Sequence, residues 1–366
     1  MSRTMRAARL HKIGEPLQID EIDVPTPRPT DVLVEVKACG IVPNLGNVLN
    51  HMFGFIPLPK LPAIFGLDPA GVVVEKGAQA HGVEVGDRVY VNPARYCGGC
   101  AQCRAGDPLS CSAFAMNGYF GSGPTSQMLF DDYPYGGMCE FMTAPLYSLV
   151  KLPDNVSHET AARWGYLGTG YRALRRAGAG PGSIVLINGI SGTLGLGVAL
   201  FALALGVRQV LGTGCDRSLL ERVQAIDPAR IEVHSARDEE SVADWAQRVT
   251  GGKGVCAVID SLPTGAAQEP WLDAMSTLRR GGIHMNIGGV AEAPMNLLKA
   301  MSSNQSLIAS AWFTTAEGQQ MADMAATGQI DLSIFEHEIF KLDDVNDALS
   351  VMKNRHGGFS NYVIWP

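Results

Sequence analysis

The sequence predicts an α/β protein built from a β-rich portion and a doubly wound parallel sheet. Three observations carry that expectation. Up to about residue 150, short apolar runs alternate with period two and are broken by prolines and glycines. From Ser183 to Arg217 an apolar β-branched run, spaced glycines, a helix-favouring run and a second short strand follow one another. Strands and helices then keep alternating to about Ser310, as repeated βα units do.

A chain of 366 residues suits two domains better than one core. A net charge of −7 without any run of lysines or arginines speaks against a nucleic-acid or anionic-membrane partner. Met1 to Glu21 has no apolar signal region, and no later stretch approaches about eighteen uninterrupted apolar residues. A cytoplasmic protein acting on a small molecule is expected. Four of the eight cysteines fall in one tight group, which suits metal binding in a reducing compartment better than disulfides.

Residues 1 to 150 read as all-β. Val32, Val34 and Val36 alternate with Leu33, Glu35 and Lys37, the signature of a half-buried strand. Gly71 to Val74 is a second strand, and the turn Gly86-Asp87-Arg88-Val89 leads into a third. Cys97, Cys100 and Cys103 are spaced by two residues, with Cys111 eight residues on. Four thiolates so placed can wrap one tetrahedral Zn²⁺ and leave no open coordination position, so the site is structural. Cys39, Cys139, Cys215 and Cys256 are scattered and read as small apolar residues. Residues 112 to 137 have no clear period and read as a surface excursion. One helix is expected from Ser157-His-Glu-Thr160 through Trp164 to Leu174.

Ile184 to Ile187 reads as a buried parallel strand. The glycines at 189, 192 and 195 lack a Cβ and let backbone approach a pyrophosphate. The N-terminus of the following helix, with Thr193 and Leu194 in its first turn, offers that anion unpaired N–H groups. Further on, Asp238 to Thr250 is helical, Val255 to Asp260 a strand, Trp271 to Leu278 helical, and Arg280-Gly281-Gly282 a turn. Ile283 to Ile287 is a strand ending at Gly288-Gly289. Ala316 to Thr327 and Asp343 to Lys353 are helical, and Tyr362 to Trp365 is a closing strand.

In this order the features resemble the medium-chain dehydrogenase/reductase superfamily, the zinc-type alcohol dehydrogenase relatives, over essentially the whole chain. The matching stretches are Ala38-Cys39-Gly40-Ile41, Gly66 to Val73, Gly86 to Val89, the four-cysteine lobe, Thr169-Gly170-Tyr171, the glycine turn and Arg280-Gly281-Gly282. The resemblance implies a GroES-like catalytic domain from residues 1–155 and 312–366, with its zinc lobe at about 95–112. It implies a Rossmann domain at 156–311 and hydride transfer with a nicotinamide cofactor in which Thr169 and Gly288 take part. It also implies a homodimer or homotetramer formed through the sheet edge.

Three departures from the family pattern define the expected chemistry. Zinc-dependent members carry a catalytic metal on a cysteine where this chain has Val42, a histidine at Leu67 and a cysteine at Gly165; none of these can ligate Zn²⁺. The proton-relay positions are Asn44 and Asn47, and His51 lies four residues further on, either a shifted relay or a loop histidine. Without that metal, hydride delivery from NAD(P)H to a polarised double bond is the easier task. Enones, enals and quinones fit. The alternatives are a metal-independent alcohol dehydrogenase or ketone reductase, and a cofactor-binding protein without turnover.

Asn44, Asn47 and Tyr166 can donate hydrogen bonds to an oxyanion, or cap turns and pack under the cofactor. Asp68 can donate a proton if burial raises its pKa, or stay ionised on backbone amides or an arginine. Trp312 walls the pocket or belongs to the core. Gly214 stands at the end of the second strand, where NAD enzymes place a carboxylate, and Arg217 follows it. That pair favours NADP(H) over NAD(H), although Asp216 would serve a ribose if the register shifted by a residue or two.

Overall fold

Strand Ile184–Asn188 lies inside a six-stranded parallel sheet, described here from a computed structural model of residues 3–366. In spatial order the strands are Ile231–Ser235, Gln209–Gly214, Ile184–Asn188, Val255–Asp260, Leu278–Asn286 and Ser306–Ala309. All residues of Ile184–Asn188 are buried because both faces of the sheet are covered. Ile184 and Leu186 join a core with Trp245, Val258 and Ala274, whereas Val185 and Ile187 join the main core with Leu200 and Phe201. Each such side chain contributes about 1.5–3 kcal/mol of burial free energy. The chain winds outward from Ile184–Asn188 on one side and returns through Val255–Asp260 on the other. A crevice therefore opens at the carboxyl ends of these two strands, where such sheets bind ligands.

A polar ladder ties those ends together. Thr213 Oγ1 donates to Asn188 Oδ1 at 2.7 Å, and Asn188 Nδ2 donates to Asp260 Oδ1 at 2.8 Å, all three residues being buried. The ladder holds the exit of the central strand, and hence the start of the glycine turn, in one position.

The β-rich part is assembled from both ends of the chain. Its main sheet runs Leu149–Lys151, Arg88–Val91, Asp68–Lys76, Asp31–Gly40, Ser360–Trp365 and Glu336–Lys341, and Phe141–Pro145 also pairs with Asp31–Gly40. Gln18–Asp23, Thr4–Leu10 and Ala63–Ile64 form a smaller sheet, and Ala94–Arg95, Ala115–Met116 and Phe120–Gly121 a third.

Several local expectations differ from the structure. The first 150 residues are not purely β: short helices occupy Leu45–Leu49, Ala101–Arg104 and Gln127–Asp132. The single helix expected over 157–174 is two, His158–Ala161 and Trp164–Arg176. The break falls at Arg163, whose buried guanidinium donates to the carbonyls of Ser360, at 2.5 Å, and Gly358. Leu278 is a strand residue opposite Val255, and Arg280-Gly281-Gly282 is not a free turn but a register irregularity within Leu278–Asn286. Strands Ile231–Ser235 and Ser306–Ala309, which have no strong period of their own, are made by their neighbours in the sheet. Among the described residues no helix is long and apolar enough to cross a membrane.

Candidate functional site

The glycine turn begins where Ile184–Asn188 ends. Gly189 has φ +84°, open to glycine and rare for other residues. A Cβ on Gly195 would lie 2.2 Å from the Gly189 carbonyl oxygen, so helix Thr193–Ala204 can approach the strand only with glycine there. Gly192 is the N-cap and supplies no capping side chain, which leaves the first N–H groups of the helix, at Thr193 and Leu194, for an anion. The opposite wall is the C-terminal segment: Gly358 N donates to Ser191 O at 2.7 Å, and a Cβ on Gly358 would sit 2.5 Å from Gly192 O. A Cβ on Gly288 would lie 2.7 Å from Asp260 Oδ2, closing the crevice floor. This cradle fits a dinucleotide pyrophosphate. Thr169 is buried and its hydroxyl donates to Gly165 O at 2.8 Å.

A narrow crevice joins the cradle to the β-rich part; Val42, Asp68, Arg163, Tyr166, Thr193 and Arg355 line it. Asp68 opens strand Asp68–Lys76 and is 1% exposed. Its Oδ1 accepts from Tyr90 Oη at 2.7 Å and from Gly165 N, in the first turn of helix Trp164–Arg176, at 3.0 Å. Its Oδ2 has no partner. Burial pushes this carboxyl from 3.8 up to about 7, against the opposing pull of those two donors and of the Arg163 charge. Burial likewise lowers Arg163 to about 10, which leaves it a cation at neutral pH.

Val42, Leu67 and Gly165, expected from the resemblance at the metal-ligand positions, lie in close-packed surroundings. Val42 and Leu67 are 3% exposed. A Cβ on Gly165 would meet Asp68 Oδ1 at 2.4 Å and the Trp312 ring at 2.5 Å, so no side chain fits there. Trp312 is held over this spot by its indole N–H, which donates to Asn92 Oδ1 at 2.9 Å, and its backbone takes φ +63°. The indole is thus a wall of the Asp68 site as well as a core residue.

Asn44 and Asn47 face each other: Asn47 Nδ2 donates to Asn44 Oδ1 at 2.7 Å. Asn44 lies beside the phenols of Tyr166 and Tyr119. Burial and the Asp68 charge hold both phenols well above their ordinary pKa, so both carry their proton. His51 does not join this group. Its Nε2 lies 3.1 Å from Ile56 O, bracing its own loop beside Phe53 and Phe120. Arg163, Arg355, Tyr90 and Tyr119 went unnamed in the sequence analysis. They come from four separate stretches, and only Arg355, two residues before a Gly-Gly pair, carried a local signal.

At the far end of the cradle Gly214 closes strand Gln209–Gly214, and a Cβ there would lie 3.0 Å from Ser191 Oγ and Leu220 Cδ2. Asp216 is committed as the N-cap of helix Arg217–Gln224, its Oδ1 accepting from Ser218 Oγ at 2.7 Å and Leu219 N at 3.1 Å. Arg217 is not free: it is paired with Asp238. Ser235 and Arg237 complete this hollow.

Cys97, Cys100, Cys103 and Cys111 bring their sulfurs within 4.8 Å of one another. Zn–S bonds of about 2.3 Å put tetrahedral sulfurs roughly 3.8 Å apart, so the set fits Zn²⁺ with small adjustment. Cys111 Sγ also accepts from the backbone N–H groups of Cys97, at 3.3 Å, and Ala113, at 3.4 Å, as a ligating thiolate does. Among the described residues no other group of three or more His, Cys, Asp or Glu is close enough to share a metal.

Comparison with known proteins gives the same frame. Residues 28–154 match the family model of the alcohol dehydrogenase GroES-like domain. An alcohol dehydrogenase of Geobacillus stearothermophilus is 30% identical over 353 residues, covering 95% of this chain and 96% of the relative. An NAD-dependent alcohol dehydrogenase of Saccharolobus solfataricus is 32% identical over 263 residues, 70% of this chain and 71% of its own. The solved alcohol dehydrogenase of Aeropyrum pernix superposes with a TM-score of 0.81 at 25% identity, covering 99% of this chain and 100% of that one. The chain belongs to the medium-chain dehydrogenase/reductase superfamily. It is an NAD(P)-dependent oxidoreductase with a GroES-like and a Rossmann-like part.

The cysteine lobe makes a direct prediction. Metal analysis should find one zinc per chain, and Cys100→Ser should lose it together with several degrees of thermal stability; two zincs per chain would show a second site.

Proposed function

We propose that this protein reduces a polarised double bond, a conjugated C=C–C=O or an activated C=O, with NADPH and without a catalytic metal. The observation that carries the reading is the unpartnered Asp68 Oδ2 beside the cavity shared with Thr193. It lies 2.7 Å from where a Cβ on Gly165 would stand, the position at which the resemblance puts a family metal ligand. When bound, the reduced nicotinamide supplies hydride. The substrate π pair moves onto its oxygen, and Asp68 in its acid form gives up the Oδ2 proton to the resulting anion. The carboxylate then regains a proton from solvent. Tyr90 and Gly165 N keep the other oxygen fixed, which aims the acidic one.

A second reading, alcohol oxidation with Asp68 as base, is favoured by the names of the relatives, which are alcohol dehydrogenases. The pH dependence separates the two. Reduction needs protonated Asp68, so kcat/KM for enones should fall as pH rises through about 7. Oxidation through the carboxylate should rise over the same range. Asp68→Asn keeps both hydrogen bonds to the first oxygen, and should remove the titration and lower kcat by about 10²-fold. Steady-state rates on a panel of enones, quinones, ketones and alcohols test this. A wild type that turns over none of them, or an Asp68→Asn variant of full activity, rejects the assignment.

NADPH is supported by the absence of a carboxylate at Gly214 and by the two guanidinium groups of Arg217 and Arg237. The Arg217–Asp238 pair is 66% and 30% exposed, and surface pairs of this kind contribute only about 0–1 kcal/mol, so a phosphate can displace the carboxylate. Asp238→Asn should tighten NADPH several-fold and leave NADH unchanged, and Arg217→Ala should weaken NADPH alone. Equal effects on both cofactors in a fluorescence titration would count against NADPH.

A homodimer is supported by the open edge of strand Ser306–Ala309 and by Leu297, Leu298 and Met301 beside it, each 70% or more exposed. Leu298→Glu should convert the assembly to monomer in light scattering. The gathering of four of the eight cysteines into one metal-type group supports a reducing cytoplasm.

A further inference from the structure

His337 and Asn361 stand opposite each other in the parallel pair of strands Glu336–Lys341 and Ser360–Trp365. Of the two, Asn361 lines the crevice that holds Thr193 and Asp68, and it is 5% exposed. Its Nδ2 donates to Glu159 O at 2.8 Å and lies 2.9 Å from His337 Nδ1. The break before helix Trp164–Arg176 makes that carbonyl available. The Arg163 N–H, which would reach Glu159 O in a continuous helix, bonds to Thr160 O at 3.2 Å instead. A carbonyl only accepts, so the Asn361 atom facing it is the nitrogen, and the amide cannot be turned over.

The two amide hydrogens then account for every donor Asn361 has. One goes to Glu159 O and the other to His337 Nδ1, which therefore accepts and carries no proton. The imidazole proton sits on Nε2, which donates to Thr160 Oγ1 at 3.3 Å. Glu159, Thr160 and His337 do not line the crevice, so Nδ2 is turned away from it. Oδ1 is the polar side-chain atom left over, and no described group donates to it. It can serve a bound molecule, but only at a group with a hydrogen to give. Ionised pyrophosphate oxygens have none. Three residues before Asn361, Gly358 lies against Gly192 O at the phosphate cradle, where its Cβ would come to 2.5 Å. The group joined directly to that pyrophosphate on the way to Asp68 is the nicotinamide-side ribose, and its hydroxyls have hydrogens to give.

We propose that Asn361 is a cofactor-binding residue whose Oδ1 accepts from a hydroxyl of the nicotinamide-side ribose, and that His337, outside the crevice, is the positioning residue that holds it so. The inference needs only the dinucleotide cradle and stands whichever reaction follows. A proton added to His337 Nδ1 would set donor against donor at Asn361 Nδ2 and release the amide. The charged groups around the imidazole are Glu159 and Arg163. Its strand neighbours Glu336 and Glu338 point to the opposite face, and Glu336 pairs with Arg222. Partial burial lowers His337 below its ordinary 6.5, Glu159 opposing and Arg163 assisting. The tether is therefore intact at neutral pH and is lost as pH falls through the lowered value.

Calorimetric titration with NADPH, NADH, ADP-ribose and ADP tests the contact without turnover; ADP-ribose keeps the sugar and ADP lacks it. Asn361→Ala should weaken NADPH, NADH and ADP-ribose about fivefold each and leave ADP unchanged, which also shows that the cradle is still folded. Between about pH 7.5 and pH 5 the wild type should lose about threefold in affinity for ADP-ribose relative to ADP. His337→Asn puts an amide oxygen that does not titrate in the place of Nδ1. It should match the wild type at neutral pH and keep that affinity in acid. His337→Phe, with no acceptor, should bind at neutral pH as the wild type does in acid. Equal weakening of ADP by Asn361→Ala, an effect on NADH that is absent from ADP-ribose, or an acid loss that persists in His337→Asn overturns the proposal. A preference between NADPH and NADH leaves the Asn361→Ala factor unchanged and bears only on the cofactor choice proposed above.

Discussion

The carboxylate of Asp68 resting on the N–H of Gly165 joins the two halves of this molecule at the place where they meet. Asp68 starts a strand of the β-rich sheet, and Gly165 lies in the first turn of helix Trp164–Arg176, which packs on helix Thr193–Ala204 of the Rossmann-like part. The bond exists because the helix begins only at Trp164. The break at Arg163 frees the Gly165 N–H from the preceding turn, and Arg163 is held out of the helix by the carbonyls of Gly358 and Ser360. A helix N-terminus favours the ionised carboxylate, while burial among Trp312, Val42 and Leu67 favours the acid. Burial prevails, and the result is an acid that titrates in the physiological range.

The same constraint explains why so many glycines converge here. Gly165 must be bare because Asp68 and Trp312 occupy its side-chain volume, and Gly118 must be bare because its turn touches Gly66 and Gly136. Close backbone approach brings these distant segments together. The C-terminal segment follows the same rule, with Gly358 lying on the glycine turn at Ser191 and Gly192. Arg163 therefore links three things: the helix break, the Asp68 field and the wall of the cofactor cradle.

Much of this was legible in the sequence where the signal is local. The four cysteines and the strand–glycine–helix run are complete within short windows, and their chemistry does not depend on distant partners. Period-two runs located the central strands of the first sheet. Strand Ile231–Ser235 escaped notice because its apolar residues are few and its conformation is imposed by pairing with Gln209–Gly214. Leu278 was assigned to a helix by its neighbours, yet its partner is Val255. Arg217 was legible as a cation but not as one already paired with Asp238, twenty-one residues on.

The sequence by itself determined that a dinucleotide cradle and a four-thiolate lobe are present, and that Val42, Leu67 and Gly165 carry no metal-binding group. Each follows from residue type and short spacing, which no packing can alter. Tertiary structure alone decided what surrounds these three positions. Asp68 packs against Gly165, which leaves room for it, and Trp312 is drawn over it by Asn92. The pKa of a carboxyl and the direction of a hydroxyl depend on burial and on which atoms of a neighbour are already occupied, and these arise only when the chain has closed.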